Sequence, residues 1–504
     1  MFAKIQSLRS FSRIVLLFAG YFLSSSPVTW ASRWEPTPTQ TPAQSSESTK
    51  RNFTAALAAY RSQHFQEAQK ILLPLARSNP DSFEVNELLG IVLVARGEDA
   101  KANPILSKAV RLKPEIAEAR TALAANLLRL GRIAQAESQF RKVVELYPKS
   151  YDANHNLGEF YIQVGRLSDA IVYLNRAQEI DPNADNNGYD LALAEEKTGK
   201  LDDARSELQS LIARNDAAEL HSLLGEVEEK AKNYLASASQ YQQAARMDPS
   251  EQNILDWGTE LLLHQAYAPA AEVFKAGLVR FPQSLRQQLG LGIALYGDGH
   301  YDDSASAFLH AADMSPADPL PLTFIGKAYD NLSPALAGQV RDRLEAFLKM
   351  NATSAVVRYY YALVLWKMNE KEPRPDLAAQ VERLLRDVVS LDPSYADAYL
   401  ELGIVYANQS KFQEAIANYQ KAVNLKPDLA NAHYRLGQAL MRAGDSASAR
   451  VEFASFERLR ETQAREGDQQ NSEVQQFVYT MRSSTNTTQR AESSDSAVKA
   501  DHRR

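Results

Sequence analysis

From residue 49 to about residue 465, apolar side chains recur at intervals of three and four, and glycine and proline punctuate them at fixed distances. Such spacing lines one face of an α-helix, because about 3.6 residues complete a turn. The pattern therefore predicts helices along almost the whole chain. Pro80, Pro114, Pro148 and Pro182 stand 34 residues apart, and the spacing returns at Pro249, Pro282 and Pro316 (33 and 34) and at Pro393 and Pro427 (34). A fixed period of this size marks stacked two-helix units, none of which can bury its apolar face alone.

The blocks between the prolines share a layout. Residues 151–184 carry Leu157-Gly158, Tyr161, Gly165, Ala170, Leu174, Ala177 and Pro182. Residues 396–429 repeat it with Leu402-Gly403, Tyr406, Phe412, Ala415, Tyr419, Ala422 and Pro427. The small residue after leucine leaves room for the second helix of a pair, and the alanine at the start of that helix does the same from the other side. Gly97, Gly131, Gly165, Gly199, Gly299 and Gly444 fall where first helices end, a place that wants a left-handed residue. The prolines close the second helices.

This order of residues resembles the tetratricopeptide-repeat family over about four fifths of the chain. The resemblance implies an all-α fold, a right-handed superhelical α-solenoid of about twelve helix-turn-helix units starting near residues 49, 83, 117, 151, 185, 218, 251, 285, 319, 354, 396 and 430. Eight regular units are expected over residues 49–316, two irregular ones over 317–393, and two more with a capping helix over 394–465. The irregularity lies in Ser333-Pro334 and in an insertion around Lys371 to Asp376. It reads as drift of the register with some bend, or else as a hinge.

The ends differ from the array. Lys4, Arg9 and Arg13 precede the apolar run Ile14 to Leu23, and Thr29-Trp30-Ala31 offers a small-x-small cleavage site. Residues 1–31 are therefore expected to be a signal peptide, with an uncleaved anchor as the alternative. The ten-residue run reaches only about 15 Å at ~1.5 Å per residue, short of a bilayer core. Residues 32–48, rich in Pro, Thr, Ser and Gln, read as a disordered linker, and 466–504 as a disordered tail in which residues 474–481 could form a docking helix.

The 504 residues contain no cysteine, which excludes disulfides, thiol catalysis and a lipid-modified cysteine. In an exported chain that absence points to a bacterial source, and so to a periplasmic or secreted protein. The formal net charge is −6, with no basic block, so nucleic acid is an unsuitable partner. Removing residues 1–31 takes away three positive charges and no negative ones, giving −9. The eight histidines show no metal-ligand spacing, and neither a nucleophile elbow nor a phosphate-cradling loop is present. No catalytic residue, cofactor, metal or small-molecule substrate is expected.

The family resemblance implies that first helices line a concave groove which holds peptides or partner helices. The positions taken to face it are the second, fifth, ninth, twelfth and thirteenth of each unit. In units four to six these include Asp152, Glu159, Glu196, Glu219, Glu226 and Glu229, partly balanced by Lys197 and Lys230. An acidic stripe there would favour a basic segment; the plainer alternative is a solvated helix face. Farther along, Leu255, Leu262, Leu263, Ile293 and Tyr296 would make the groove apolar, suited to an amphipathic partner helix. The carboxylate clamp of some family members is not matched, since Glu87 and Ile91, Thr121 and Ala125, and His155 and Glu159 occupy the fifth and ninth positions of the three successive units starting near residues 83, 117 and 151. The sequence thus reads as a non-catalytic scaffold in the bacterial envelope. The alternatives are a subunit of an exopolysaccharide-export, secretion or outer-membrane assembly machine, and an enzyme with a site hidden in units nine and ten.

Overall fold

The computed structural model describes residues 43–371 and 374–464. The segments expected to be a signal peptide and a tail lie outside the described residues. Those described form twenty-four α-helices and no strand. The helices alternate as first and second members of a pair. In chain order they are α1 (Ala43–Arg61), α2 (Phe65–Ser78), α3 (Phe83–Ala95), α4 (Asp99–Leu112), α5 (Ala117–Arg129), α6 (Ile133–Leu146), α7 (Tyr151–Gln163) and α8 (Leu167–Ile180). There follow α9 (Asp185–Thr198), α10 (Leu201–Arg214), α11 (Ala218–Lys230), α12 (Tyr234–Met247), α13 (Glu251–Leu263), α14 (Tyr267–Arg280), α15 (Leu285–Gly297) and α16 (Tyr301–Met314). The last are α17 (Leu320–Ala328), α18 (Pro334–Met350), α19 (Ala355–Lys371), α20 (Pro375–Leu391), α21 (Ala396–Asn408), α22 (Phe412–Leu425), α23 (Ala430–Arg442) and α24 (446–464).

Helix α1 begins at Ala43, so the stretch expected to be a linker to residue 48 is helical over its last six residues. The tertiary contacts divide the chain between Lys232 and Asn233, giving an N-terminal and a C-terminal array. Within each array a helix packs on the one before it and the one after it, and neighbouring first helices also touch. First helices are consequently buried around most of their circumference: α3 buries ten of its thirteen residues, whereas α4 buries four of fourteen. Helix propensity contributes little to such short elements; the stacking of one pair on the next does.

Two devices set the register. Within a pair, Gly158 faces Leu174, and a Cβ on that glycine would lie 2.6 Å from the leucine Cγ; Gly258 faces Phe274 in the same way. Between pairs, the fourth residue of the first helix reaches back to the turn before it. Asn154 Nδ2 donates to the carbonyl oxygens of Pro148 (3.0 Å) and Ser150 (2.8 Å), and Asn86 does the same to Pro80 (2.8 Å) and Ser82 (2.6 Å). Arg120 Nε donates to the Pro114 carbonyl at 2.6 Å, and His433 Nε2 to that of Pro427 at 3.0 Å. At these four turns the proline hands its carbonyl to a side chain of the next first helix, so that backbone acceptor is paired.

The glycines predicted to close first helices, from Gly97 to Gly444, all have φ between 72° and 88°. At the same place in four other repeats stand Gln63, Lys232, Gln265 and Ser410, with φ of 55° to 64°. The left-handed turn therefore belongs to the fold, and its residue type does not.

The irregular stretch departs from the pair geometry. Helix α17 is nine residues long, ends in a 3-10 turn at Tyr329–Asn331, and packs more on α19 than on its own partner α18. Its Gly326 accordingly faces the ring of Tyr360 on α19, not a residue of α18. The insertion is absorbed as extra turns, since α18, α19 and α20 each run to seventeen residues. One continuous apolar core spans this stretch, from Ala238 to Ala449.

Candidate functional site

The predicted acidic residues lie on α7, α9 and α11 of the N-terminal array, and the structure sorts them by environment. Asp152 and Glu219 are exposed, Glu159, Glu226 and Glu229 half-buried, and Glu196 is 1% exposed.

Glu196 corrects the picture of an open stripe. Its carboxylate receives Lys230 Nζ at 2.5 Å and Lys197 Nζ at 2.9 Å, and Lys197 also lies 3.6 Å from Glu226. Burial pulls the Lys197 ammonium down, but the hydrogen bond to Glu196 and the charges of Glu226 and Glu196 outweigh it, so its pKa stands above the ordinary lysine value. The cause is position: the twelfth residue of a unit turns toward the neighbouring helix, where a carboxylate is tolerated only if paired. Glu228, on the same helix as Glu226, is likewise buried and held by Arg205, with Nε to Oε1 at 2.7 Å and Nη2 to Oε2 at 3.1 Å.

The acids without such compensation lie on α7 and in the first half of α9. Among the described residues, Asp152, Glu159 and Asp190 have no lysine or arginine within ion-pair distance. Asp190, on α9, is 15% exposed in its side chain, and its Oδ2 lies 3.9 Å from His155 Nε2. Burial and then the charge of Glu159 push its pKa up to about 7. Burial also raises Glu159, against the opposing hydrogen bond from Gln163 Nε2 at 3.0 Å.

His155 does not neutralise the pair. Its ring stacks on Tyr151 (centroids 5.4 Å, 9° between planes), its Nδ1 lies 3.2 Å from Asn187 Oδ1, and its Nε2 lies 3.2 Å from Asn186 Nδ2. Nδ1 therefore donates and Nε2 accepts, which is the neutral form. Burial lowers its pKa accordingly, ahead of the opposing Asn187 bond and the charge of Asp152. The arrangement leaves carboxylates that would gain from an incoming cation.

Asp190 was missed because position six was not counted among those facing the groove. Positions two, six, nine and thirteen follow one another at four, three and four, so they form one helical stripe. Asp152 and Glu159 hold the second and ninth places on α7, and Asp190 holds the sixth on α9.

The apolar groove predicted for the next units is a second correction. Leu255, Leu262 and Ile293 are 3%, 3% and 5% exposed and belong to the core, while Leu263 and Tyr296 are half-buried. First helices in that region are buried almost all round, and apolar residues counted as groove-facing lie between helices. In the irregular repeats, Tyr359 and Tyr360 are buried and pack edge to face at 5.2 Å, and Tyr395 joins them at 5.0 Å from Tyr359. Burial raises all three phenols, Tyr360 to about 12. These rings pack the core of the long helices.

Comparison with known proteins adds the following. A family model described as tetratricopeptide repeat matches residues 53–115, 189–251 and 255–319; a second with the same description matches 127–187, and one described as TPR repeat matches 406–444. A probable UDP-N-acetylglucosamine–peptide N-acetylglucosaminyltransferase, SPINDLY, of Hordeum vulgare is 22% identical over 182 residues, which cover 36% of this chain and 19% of that protein. The chain thus matches about a fifth of the length of that curated relative. Among solved structures, the type IV pilus biogenesis factor PilW is 23% identical (41% of this chain, 96% of that one, TM-score 0.37). The Cut9–Hcn1 hetero-tetramer of APC/C is 13% identical (80% and 92%, TM-score 0.36).

Proposed function

The chain belongs to the tetratricopeptide-repeat family and is a protein-interaction scaffold, and from that premise we propose that its N-terminal array holds a basic segment of a partner protein on the first-helix face of α7 and α9. One observation carries this reading: Asp152, Glu159 and Asp190 share that face, and among the described residues no lysine or arginine lies within ion-pair distance of them. A partner lysine or arginine would supply the missing charge, and a guanidinium would bridge two carboxylates through its fixed fork of donors. Glu219 and Glu226 extend the acidic field toward α11, which speeds encounter with a basic partner without fixing its pose.

In this reading the scaffold catalyses nothing and works in a bacterial envelope. The location is supported by the basic n-region, the ten-residue apolar run and the small-x-small site of residues 1–31, and by the absence of cysteine. Among the described residues, no helix is long and apolar enough to cross a membrane.

The test is a titration of the full chain with fluorescent peptides of one length carrying four lysines, four glutamates or no charge. The lysine peptide is expected to bind at least tenfold more tightly than the others, and Glu159→Gln with Asp190→Asn to remove that preference. Equal binding of all three peptides overturns the proposal.

A further inference from the structure

The last repeat carries a titratable ring in the position that Asn86 and Asn154 occupy in theirs. His433, the fourth residue of the unit starting at Ala430, reaches back to the Pro427 carbonyl with Nε2 at 3.0 Å, as Asn154 reaches that of Pro148. Its Nδ1 lies 2.6 Å from Glu452 Oε2 on α24. A carbonyl oxygen can only accept, so Nε2 carries a hydrogen. Were Nδ1 bare, its lone pair would face a carboxylate oxygen at the same 2.6 Å, which is repulsive. With a proton the contact becomes a short charge-assisted hydrogen bond, so the ring is an imidazolium beside a carboxylate. His155 shows the alternative in the same chain: Asn186 offers it a donor and Asn187 an acceptor, and it stays neutral. The His433 side chain is 9% exposed and that of Glu452 16%, so water screens the pair weakly. Among the described residues, Glu452 is the one carboxylate within ion-pair distance of the ring, and no lysine or arginine lies within that distance of Glu452.

We propose that this pair is a proton-dependent latch holding α24 on α23, and that loss of the proton to solvent as pH rises releases the helix. Little else secures it. Ala449 is the single buried residue of α24 among those described, whereas α22, the second helix of the preceding pair, buries four. Phe453 lies half-buried against Gly437, and Tyr434 meets Phe453 and Phe456 at 6.0 and 5.0 Å between centroids. A helix with so few buried contacts sits at the low-stability end of a molecule, where one charge-assisted bond weighs heavily. The sign follows from the partner. The docked pair needs the proton and the undocked ring does not, so docking is present in mildly acidic solution and is lost as pH rises. Release uncovers Gly437 and opens the end of the C-terminal array. The latch is far in sequence from α7 and α9, and its failure would leave the reading of that face untouched.

The experiment uses the full chain with histidine isotope-labelled on both ring nitrogens, and the His433 signals are assigned by their loss in His433→Asn. Nuclear magnetic resonance reads the two nitrogens at about pH 5.5 and about pH 8.5, either side of the ordinary histidine range. Hydrogen exchange of residues 446–464, corrected for its intrinsic pH dependence, is read by mass spectrometry at the same two points. At the lower pH both nitrogens are expected to carry hydrogen. At the higher pH Nδ1 is expected to have lost it, and exchange across α24 to be at least tenfold faster. Glu452→Gln can turn an amide donor toward Nδ1, which suits the neutral ring, and is expected to keep α24 protected at both values. A bare ring nitrogen at about pH 5.5 overturns the proposal. So does exchange equally slow at both values in the unaltered chain, or exchange that rises as much in Glu452→Gln. The readings on the unaltered chain stand even if a variant folds poorly.

Discussion

Lys230 reaches back one repeat from α11 to place its ammonium 2.5 Å from the carboxylate of Glu196 on α9, whose side chain has no exposure to solvent. The pair ties two successive first helices together at the place where the sequence pattern suggests an open acidic groove. It is asymmetric, because the lysine side chain is 46% exposed and the glutamate 0%.

That asymmetry predicts unequal mutational costs. Replacing Lys197 and Lys230 with methionine strands a buried carboxylate, and is expected to destabilise the N-terminal array by about 3 kcal/mol. Glu196→Gln leaves two lysines that can turn to water, and should cost about 1 kcal/mol or less. Urea unfolding of both variants, followed by circular dichroism, checks the order; equal losses would show that the lysines do not compensate Glu196.

The left-handed turns predict stabilising changes. Ser410 and Gln265 hold φ of 61° and 55° where other repeats have glycine. Ser410→Gly and Gln265→Gly should each raise stability by ~1 kcal/mol, and Gly165→Ala should lower it by a similar amount. Thermal denaturation of the three variants reads the sign directly.

Two helix glycines should respond in opposite directions. A Cβ at Gly158 meets Leu174 at 2.6 Å, so Gly158→Ala forces the two helices apart and destabilises by about 1–3 kcal/mol. Gly338, inside α18, has open space around it, and Gly338→Ala should stabilise by about 1 kcal/mol. Chemical denaturation midpoints check both.

The carboxyls of Asp190 and Glu159 predict a pH dependence of the sign opposite to that of paired acids. Their folded pKa values are raised, Asp190 to about 7, so the unfolded chain releases these protons first. Stability is unaffected below the unfolded value, and falls as pH rises from there through about 7. Asp190→Asn with Glu159→Gln should remove that fall and be more stable than the unaltered chain at pH 8, with little difference at pH 4. Melting temperatures across this range would contradict the assignment if the two chains stayed parallel.

The period and the two glycine positions made the helical stack legible in the sequence, because each reflects a contact repeated at every unit. Four things were not legible. The reach of Asn154 to the Pro148 carbonyl involves a side chain whose type changes from repeat to repeat, as Arg120 and His433 show, so only its geometry recurs. The pairing of Gly326 with Tyr360 follows from the shortening of α17, which moves α19 into the place of the partner helix. In the candidate site, Asp152, Glu159 and Glu219 could be read as surface acids, but the burial of Glu196 depends on Lys230 one repeat away. Asp190 draws its raised pKa from desolvation, and no spacing rule encodes that.

The most direct test of the scaffold reading is photo-crosslinking in the intact host, with a photoreactive residue placed singly at Asp152, at Glu219, or at Val172 on the outer side of α8. The account predicts that Asp152 and Glu219 capture a partner through lysine- and arginine-rich peptides identified by mass spectrometry, and that Val172 does not. Capture from Val172 alone, or through peptides without basic residues, would contradict it.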